Sequence, residues 1–339
     1  MQSTNYHKIL IIQTAFIGDV VLATPIIEAL YNNLKDSKID FLIRKGNESL
    51  LKNHPKLNNI LIWDKKGNKL SNQIKLIKEI RSEKYDVVIN LQRFLSSGIF
   101  TIFSNAKIKI GFNKNPLSSR FTFSIPHIIK DGIHEIDRNL SLLSPLMENA
   151  NERMCLYPSK ENYKTVEKYK EEKYIVIAPT SVWFTKQYPI NKWIDFIKNI
   201  DNNYNIYLIG GPDDKVEIDK IINTISKGNC INLCGKLNLL ESTALMKDAS
   251  MCYVNDSAPM HLASSVNANV TAIFCSTVTD FGFGPKSDNS YVVEINKELN
   301  CRPCGLHGKK ECPEGHFDCA NSINTKQLLF TLNDDGRRN

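Results

Sequence analysis

One stretch gathers residue types that suit an anion. In Cys252-Tyr-Val-Asn-Asp-Ser-Ala-Pro-Met-His-Leu-Ala263 an apolar strand stops at Asn255-Asp256 and a helix opens over Ser257 to Pro259. A helix start leaves backbone N–H groups without partners and carries the positive end of the dipole, so phosphate groups settle there. Ser257 is a good N-cap type and Pro259 suits the first turn, while His261, four residues after Ser257, shares the helix face. An ordinary capped helix behind a buried strand has the same pattern, so the segment alone decides nothing.

Other polar residues fall at the ends of strand-like runs. Lys8 to Gln13 is a short apolar run typical of a strand buried on both faces, and Thr14-Ala-Phe-Ile-Gly-Asp19 follows it as a loop before a helix from Val20 to Asn33, with Pro25 in or near its first turn. Tyr174-Ile-Val-Ile-Ala-Pro-Thr-Ser181 with Lys186 repeats the arrangement, as does Asn205 to Ile209 with Gly210-Gly-Pro-Asp-Asp214. Thr180, Ser181, Lys186, Asp214, Asp256, Ser257 and His261 then gather on one sheet edge, and Asp19 on another. A lysine, a hydroxyl pair and a helix start suit a diphosphate, and a carboxylate after a glycine turn suits ribose hydroxyls. Asp19 would be the base that takes a proton from an acceptor hydroxyl. Each residue has a plainer role as well: Gly18-Asp19 as a turn and cap, Lys186 as surface, His261 as a satisfied helix residue, and Asp213-Asp214 as a cap pair.

The elements that must position these groups alternate strand and helix. Ile39 to Ile43, Ile60 to Trp63, Asp86 to Leu91, Lys107 to Gly111 and Phe121 to Ile125 read as strands, with helices at Leu70 to Ser82 and His134 to Leu146. Met147 to Glu172 is polar and reads as an interdomain connection. Beyond it come helices at Ile190 to Ile200, Val216 to Ser226 and Leu239 to Lys247, with strands at Cys230 to Leu233, Met251 to Val254 and Val270 to Cys275. The pattern predicts two doubly wound Rossmann-like α/β domains, 1–160 and 161–339, whose carboxyl edges face each other across a cleft so that Asp19 faces the Asp256–His261 turn.

At 339 residues the chain has room for two cores. Its formal net charge of +7, spread along the chain, favours anionic partners such as phosphates or acidic lipid headgroups. No run of 18 apolar residues appears and the polar Met1 to His7 is no signal peptide, so a cytoplasmic protein that touches a membrane from outside is expected. The loop after Gln13 has no G-x-G-x-x-G, which argues against a nicotinamide enzyme, and no D-x-D triplet calls for a carboxylate-bound divalent ion. Of nine cysteines, five are scattered, whereas Cys301-x-x-Cys304, Cys312 and Cys319 share 19 residues with His307 and His316. That density suits zinc or disulfides, although the second C-x-x-C of a zinc ribbon is missing; a reduced Cys-rich loop is the alternative expectation.

Four ordered motifs resemble the family 9 glycosyltransferases, the ADP-heptose:lipopolysaccharide heptosyltransferases, and the heptosyltransferase II type most closely. They are Lys8 to Pro25, His134-Glu-Ile-Asp-Arg-Asn-Leu140, Ala178-Pro-Thr-Ser181 with Lys186, and Asn255-Asp-Ser-Ala-Pro-Met-His-Leu262. The resemblance implies a GT-B fold and an inverting transfer that needs no metal or cofactor. It implies Asp19 as general base, and Lys186 with Asp256, Ser257, Ala258 and His261 on the diphosphate, assisted by Thr180 and Ser181. Asp214 lines up with a ribose-contacting glutamate and Leu237 with an adenine-facing methionine; both depart from the family residue. Ala258-Pro259 stands where many relatives have glycine and an apolar residue, and the proline removes one amide donor. The implied partners are ADP-heptose, a Kdo-lipid A or heptosylated inner-core acceptor and the inner-membrane face, with no nucleic acid. Transfer of another nucleotide sugar, or nucleotide-sugar binding without catalysis, are the competing readings.

Overall fold

The structure, a computed structural model, describes residues 6–129, 132–225 and 227–333. The chain divides into two compact units, Met1–Tyr157 and Pro158–Asn339. The first unit runs β1 (Lys8–Gln13), α1 (Ile17–Asn33), β2 (Lys38–Arg44), β3 (Asn59–Trp63), α2 (Lys69–Ser82), β4 (Val87–Asn90), α3 (Leu95–Phe103), β5 (Ile108–Phe112), β6 (Phe123–Ile125) and α4 (Glu135–Ser141). Its strands lie in the order β3-β2-β1-β4-β5-β6 and pair in parallel throughout. β1 has neighbours on both sides, Ile9 opposite Ile39 and Val87, which is why it is an uninterrupted apolar run. Leu10, Ile12, Leu42, Trp63 and Phe100 share one core, with Trp63 edge-on to Phe100 at 5.0 Å.

The second unit contains α5 (Lys160–Val166), β7 (Tyr174–Ala178), α6 (Ile190–Lys198), β8 (Asn205–Leu208), α7 (Lys215–Ile225), β9 (Cys230–Asn232), α8 (Leu239–Lys247), β10 (Met251–Asn255), α9 (Ala258–Ser265), β11 (Val270–Phe274), β12 (Ser290–Glu294), α10 (Asp318–Asn321) and α11 (Thr325–Asn333). The sheet order, β12-β11-β10-β7-β8-β9, again parallel, is that of the first unit read in reverse. In α6, Trp193, Phe196 and Ile197 are buried at helical spacing, and Phe196 packs on Tyr253 of β10 at 4.5 Å. α8 starts with a reciprocal cap: Glu241 N donates to Asn238 Oδ1 at 2.9 Å and Asn238 N to Glu241 Oε2 at 2.8 Å.

Both sheets reverse direction at their first strand, between β1 and β4 and between β10 and β7. Loops leaving the carboxyl ends of such a pair splay apart and leave a crevice, the usual ligand site of doubly wound sheets.

Several elements differ from expectation. α1 begins at Ile17 rather than Val20 because Asp19 reaches back to accept from Phe16 N at 3.1 Å. Pro25 consequently lies inside the helix rather than near its first turn, where it cannot donate to the Val21 carbonyl. Thr24 Oγ1 donates to that carbonyl instead, at 2.7 Å. The helix expected to reach Leu146 stops at Ser141 and continues as turns, because Pro145 disfavours helical backbone at Ser144. The polar stretch Met147 to Glu172 is not a free linker: Met154 and Leu156 are buried, Cys155 N donates to Thr24 Oγ1 at 3.0 Å, and α5 packs against α8. α3, α5, β12, α10 and α11 are additional elements, and the expected helix end at Ser226 lies outside the described residues.

Candidate active site

The polar groups of the second unit meet where its strand order reverses. Lys186, in the turn after β7, places Nζ 2.6 Å from Oδ2 of Asp256, which follows β10 directly. Both side chains are largely buried, at 15% and 6% exposure, so the pair sits in a medium that strengthens its attraction and penalises loss of either partner. Asp256 Oδ2 also accepts from Thr277 Oγ1 at 2.6 Å. Asn255 ties the two loops together: its Oδ1 accepts from Tyr188 N at 2.9 Å, and its Nδ2 donates to the carbonyls of Pro179 at 2.8 Å and Thr180 at 3.3 Å. Ser181 is held through its carbonyl by Gln187 Nε2 at 2.6 Å.

Helix α9 opens beside this pair. Ser257 occupies the N-cap in extended backbone, but its hydroxyl does not cap the helix; it reaches back to the Asn255 carbonyl at 3.4 Å. Pro259 has no N–H and that of Met260 is taken by the Ser257 carbonyl at 3.0 Å, so the amides of Ser257 and Ala258 are the donors that head the helix. His261 is buried one turn in. Lys186, Asp256, Ser257, Ala258, His261, Thr180 and Ser181 therefore belong to the ends of two adjacent strands, β7 and β10.

Asp214 and Leu237 sit on neighbouring loops. Asp214 Oδ2 accepts from Gly211 N at 2.7 Å, closing its own turn after β8, and Leu237 is half-buried just before the cap of α8. Thr277, Thr185 and the carboxamide of Asn255 escaped the sequence reading. Thr277 carries no local signal, because its partner lies 21 residues away.

In the first unit Asp19 is half-buried in the first turn of α1, with one carboxylate oxygen on Phe16 N. α4 packs on α1, and Asn139 Nδ2 donates to the Leu22 carbonyl at 3.1 Å. From α4, Arg138 Nε donates to Glu135 Oε2 at 2.7 Å and Nη1 to the Ile133 carbonyl at 2.7 Å. Burial pushes the Glu135 carboxyl up, Arg138 opposes this, and the nearby negative charge of Asp19 adds to the rise. At the ends of β1 and β4, Gln92 Nε2 donates to Gln13 Oε1.

All nine cysteines are free thiols. Cys301, Cys304, Cys312 and Cys319 line one cavity of about 280 Å³ together with Thr185 and Ser276. Burial raises the Cys319 thiol, and the other three thiols add to the effect. Among the described residues no group of three His, Cys, Asp or Glu side chains is arranged to hold a metal ion.

Residues 73–316 match the family described as glycosyltransferase family 9 (heptosyltransferase). The chain is 30% identical over 278 residues to lipopolysaccharide heptosyltransferase 3 of Escherichia coli, covering 77% of this chain and 82% of that protein. The chain belongs to glycosyltransferase family 9. It is accordingly a glycosyltransferase. Lipopolysaccharide heptosyltransferase 1 of Campylobacter coli is 25% identical over 350 residues, covering 95% and 97% of the two chains. The glycosyl transferase family 9 structure from Veillonella parvula superposes with a TM-score of 0.85 at 20% identity, covering 98% of each chain. The E. coli ADP-heptose LPS heptosyltransferase II structure follows at 0.80 and 19%, covering 97% and 98%. These two likenesses show the fold, the GT-B pair of doubly wound units. By sequence the E. coli heptosyltransferase 3 is nearer, at 30%, than the E. coli heptosyltransferase 2, at 22%. The family match spans Lys186 and Asp256 and begins after Asp19.

Proposed function

We propose that the protein is an inverting, metal-independent heptosyltransferase that moves heptose from ADP-heptose to the inner core of lipopolysaccharide at the cytoplasmic membrane face. Membership of family 9 supports the reaction class. One observation carries the reading of the site: the buried Lys186–Asp256 pair beside the start of α9 at the strand-order reversal. Lys186 has three N–H donors, of which Asp256 engages one; the others are available to a diphosphate. The carboxylate, itself held by Thr277, keeps the ammonium aimed, and the Ser257 and Ala258 amides add donors with fixed direction. His261, Thr180 and Ser181 complete this seat.

In this reading Asp19 accepts the proton of the acceptor hydroxyl as its oxygen attacks the anomeric carbon of the heptose. The bond from that carbon to the diphosphate oxygen breaks on the opposite face, inverting the configuration, and ADP leaves with the electron pair. Lys186 and the helix-start amides stabilise the charge that gathers on the diphosphate, the task a divalent ion performs elsewhere. The net charge of +7 favours a phosphorylated, Kdo-bearing lipid A acceptor at an anionic membrane surface. Among the described residues no helix is long and apolar enough to cross a membrane.

Another nucleotide sugar as donor is the second reading. It is favoured by Asp214, whose carboxylate closes its own turn, and by Leu237 at the adenine-facing position. Titration calorimetry with ADP, GDP and UDP, with and without chelator, tests both. ADP alone should bind, unaffected by chelator. Preference for UDP or GDP replaces the donor, and absence of binding by all three overturns the catalytic reading of the seat.

A further inference from the structure

The segment 302–309 has no role in the proposed transfer, yet its hydrogen bonds lead, through Thr185 and through Thr277, to both members of the Lys186–Asp256 pair. On the lysine side it acts through Thr185. Thr185 N donates to the Lys309 carbonyl at 3.1 Å, and its Oγ1 accepts from Lys309 N at 2.8 Å and from Ser276 Oγ at 3.0 Å. Gly308, at φ +76°, lies so close to the turn that a Cβ there would stand 3.0 Å from Lys186 Cγ and 3.1 Å from Trp183 Cβ. Only glycine combines that backbone conformation with that approach.

On the carboxylate side the segment acts through the end of β11. Cys304 N donates to the Ser276 carbonyl at 2.8 Å. Arg302 donates from Nε to the Cys275 carbonyl and from Nη2 to the Thr277 carbonyl, both at 2.8 Å, and is further fixed by Glu294. Thr277 in turn donates to Asp256 Oδ2 at 2.6 Å. One short strap thus holds the backbone behind the ammonium and the backbone behind the hydroxyl that orients its partner.

We propose that this strap positions the donor seat: through Thr185 it sets where Lys186 stands, and through Arg302 and Thr277 where Asp256 stands. The proposal rests on the reading that Lys186 binds the donor diphosphate. Thr185 and Arg302 are positioning residues. A lysine ammonium on a four-carbon stem has little preferred geometry of its own, and displacement by about 1 Å can cost roughly 100-fold in a reaction that depends on placement.

A double-mutant cycle on ADP affinity, measured by calorimetry on the full chain, tests it. Thr185→Val keeps the volume and removes the hydroxyl. It should weaken ADP binding about tenfold in the native background but less than about twofold beside Lys186→Ala, because its effect passes through the lysine. Thr185→Ser restores the hydroxyl and should bind within about twofold of the native protein. An equal loss in both backgrounds, or no loss from Thr185→Val alone, overturns the proposal. If Thr185→Val does not fold, Ser276→Ala removes one of the same hydrogen bonds more gently and enters the same cycle. Lys186→Ala leaving ADP affinity unchanged would instead overturn the donor reading on which the proposal stands.

Discussion

At the ends of β1 and β4 the side chains that meet are two amides, Gln13 and Gln92, whereas at the ends of β7 and β10 an ammonium meets a carboxylate, Lys186 and Asp256. The backbone beneath is the same in both units, a parallel six-stranded sheet whose order reverses between those two strands. The amide pair carries no net charge, and Asp19, the carboxylate of that edge, sits in the first turn of α1 with one oxygen accepting from Phe16 N. The charged pair is costly to bury and is braced by Asn255, Thr277 and the segment behind them. One scaffold therefore carries a neutral amide pair at one strand-order reversal and a braced ion pair at the other.

Asp19→Asn would break that contrast most sharply. Removing the base should lower transfer about 1,000-fold while ADP affinity stays within about twofold, measured by product formation and by calorimetry on one preparation. Transfer that survives the substitution would remove Asp19 from the chemistry. Lys186→Ala is next: it strips the second edge of its cation and leaves Asp256 buried without its partner. ADP affinity should fall roughly 10- to 100-fold and the second unit should lose about 2–3 kcal/mol of stability, read by hydrogen exchange in β7 and β10.

A further expected effect belongs to the first unit alone, leaves transfer untouched and depends on pH. Burial, with Lys56 nearby, pushes the buried His54 down to about 4. Glu28 Oε1 stands 3.5 Å from its ring, but that carboxylate is already engaged by Lys56 and Tyr157, so desolvation prevails. Between pH 6.5 and 4 the unfolded chain binds the proton and the folded unit does not. Stability is therefore full above about 6.5 and falls as pH drops toward 4, by at most ~3 kcal/mol. His54→Gln should flatten this slope in the exchange of β2 and β3, and an unchanged slope would assign it to other groups.

The alternation of strand and helix, and the residues at the strand ends, were legible in the sequence because apolar runs buried on both faces have a plain signature. β1 and β10 needed nothing beyond their own residues. α3 was not legible: Leu-Ser-Ser-Gly-Ile-Phe-Thr-Ile-Phe is poor in helix formers, and it is set by Asn115. That side chain donates to the carbonyls of Gln92 and Phe94, and a Cβ on Gly98 would come 2.4 Å from its Oδ1. Lys186 and Asp256 were each readable as polar residues after a strand, but the contact between them was not, since 70 residues separate them. Thr185 and Ser276, further apart still, show the same limit.

Asn255 is open to mutation in an unusually lopsided way. Aspartate differs from it by one base in the codon and by almost nothing in shape, so it is among the easiest replacements to generate and to overlook. The carboxamide, however, presents two donors to the Pro179 and Thr180 carbonyls and one acceptor to Tyr188 N. A carboxylate keeps the acceptor and turns both donors into acceptors against carbonyl oxygens, in a place no water reaches. A substitution one base away and almost identical in shape is thus one this position refuses, because the join between the two loops depends on the donors of the carboxamide.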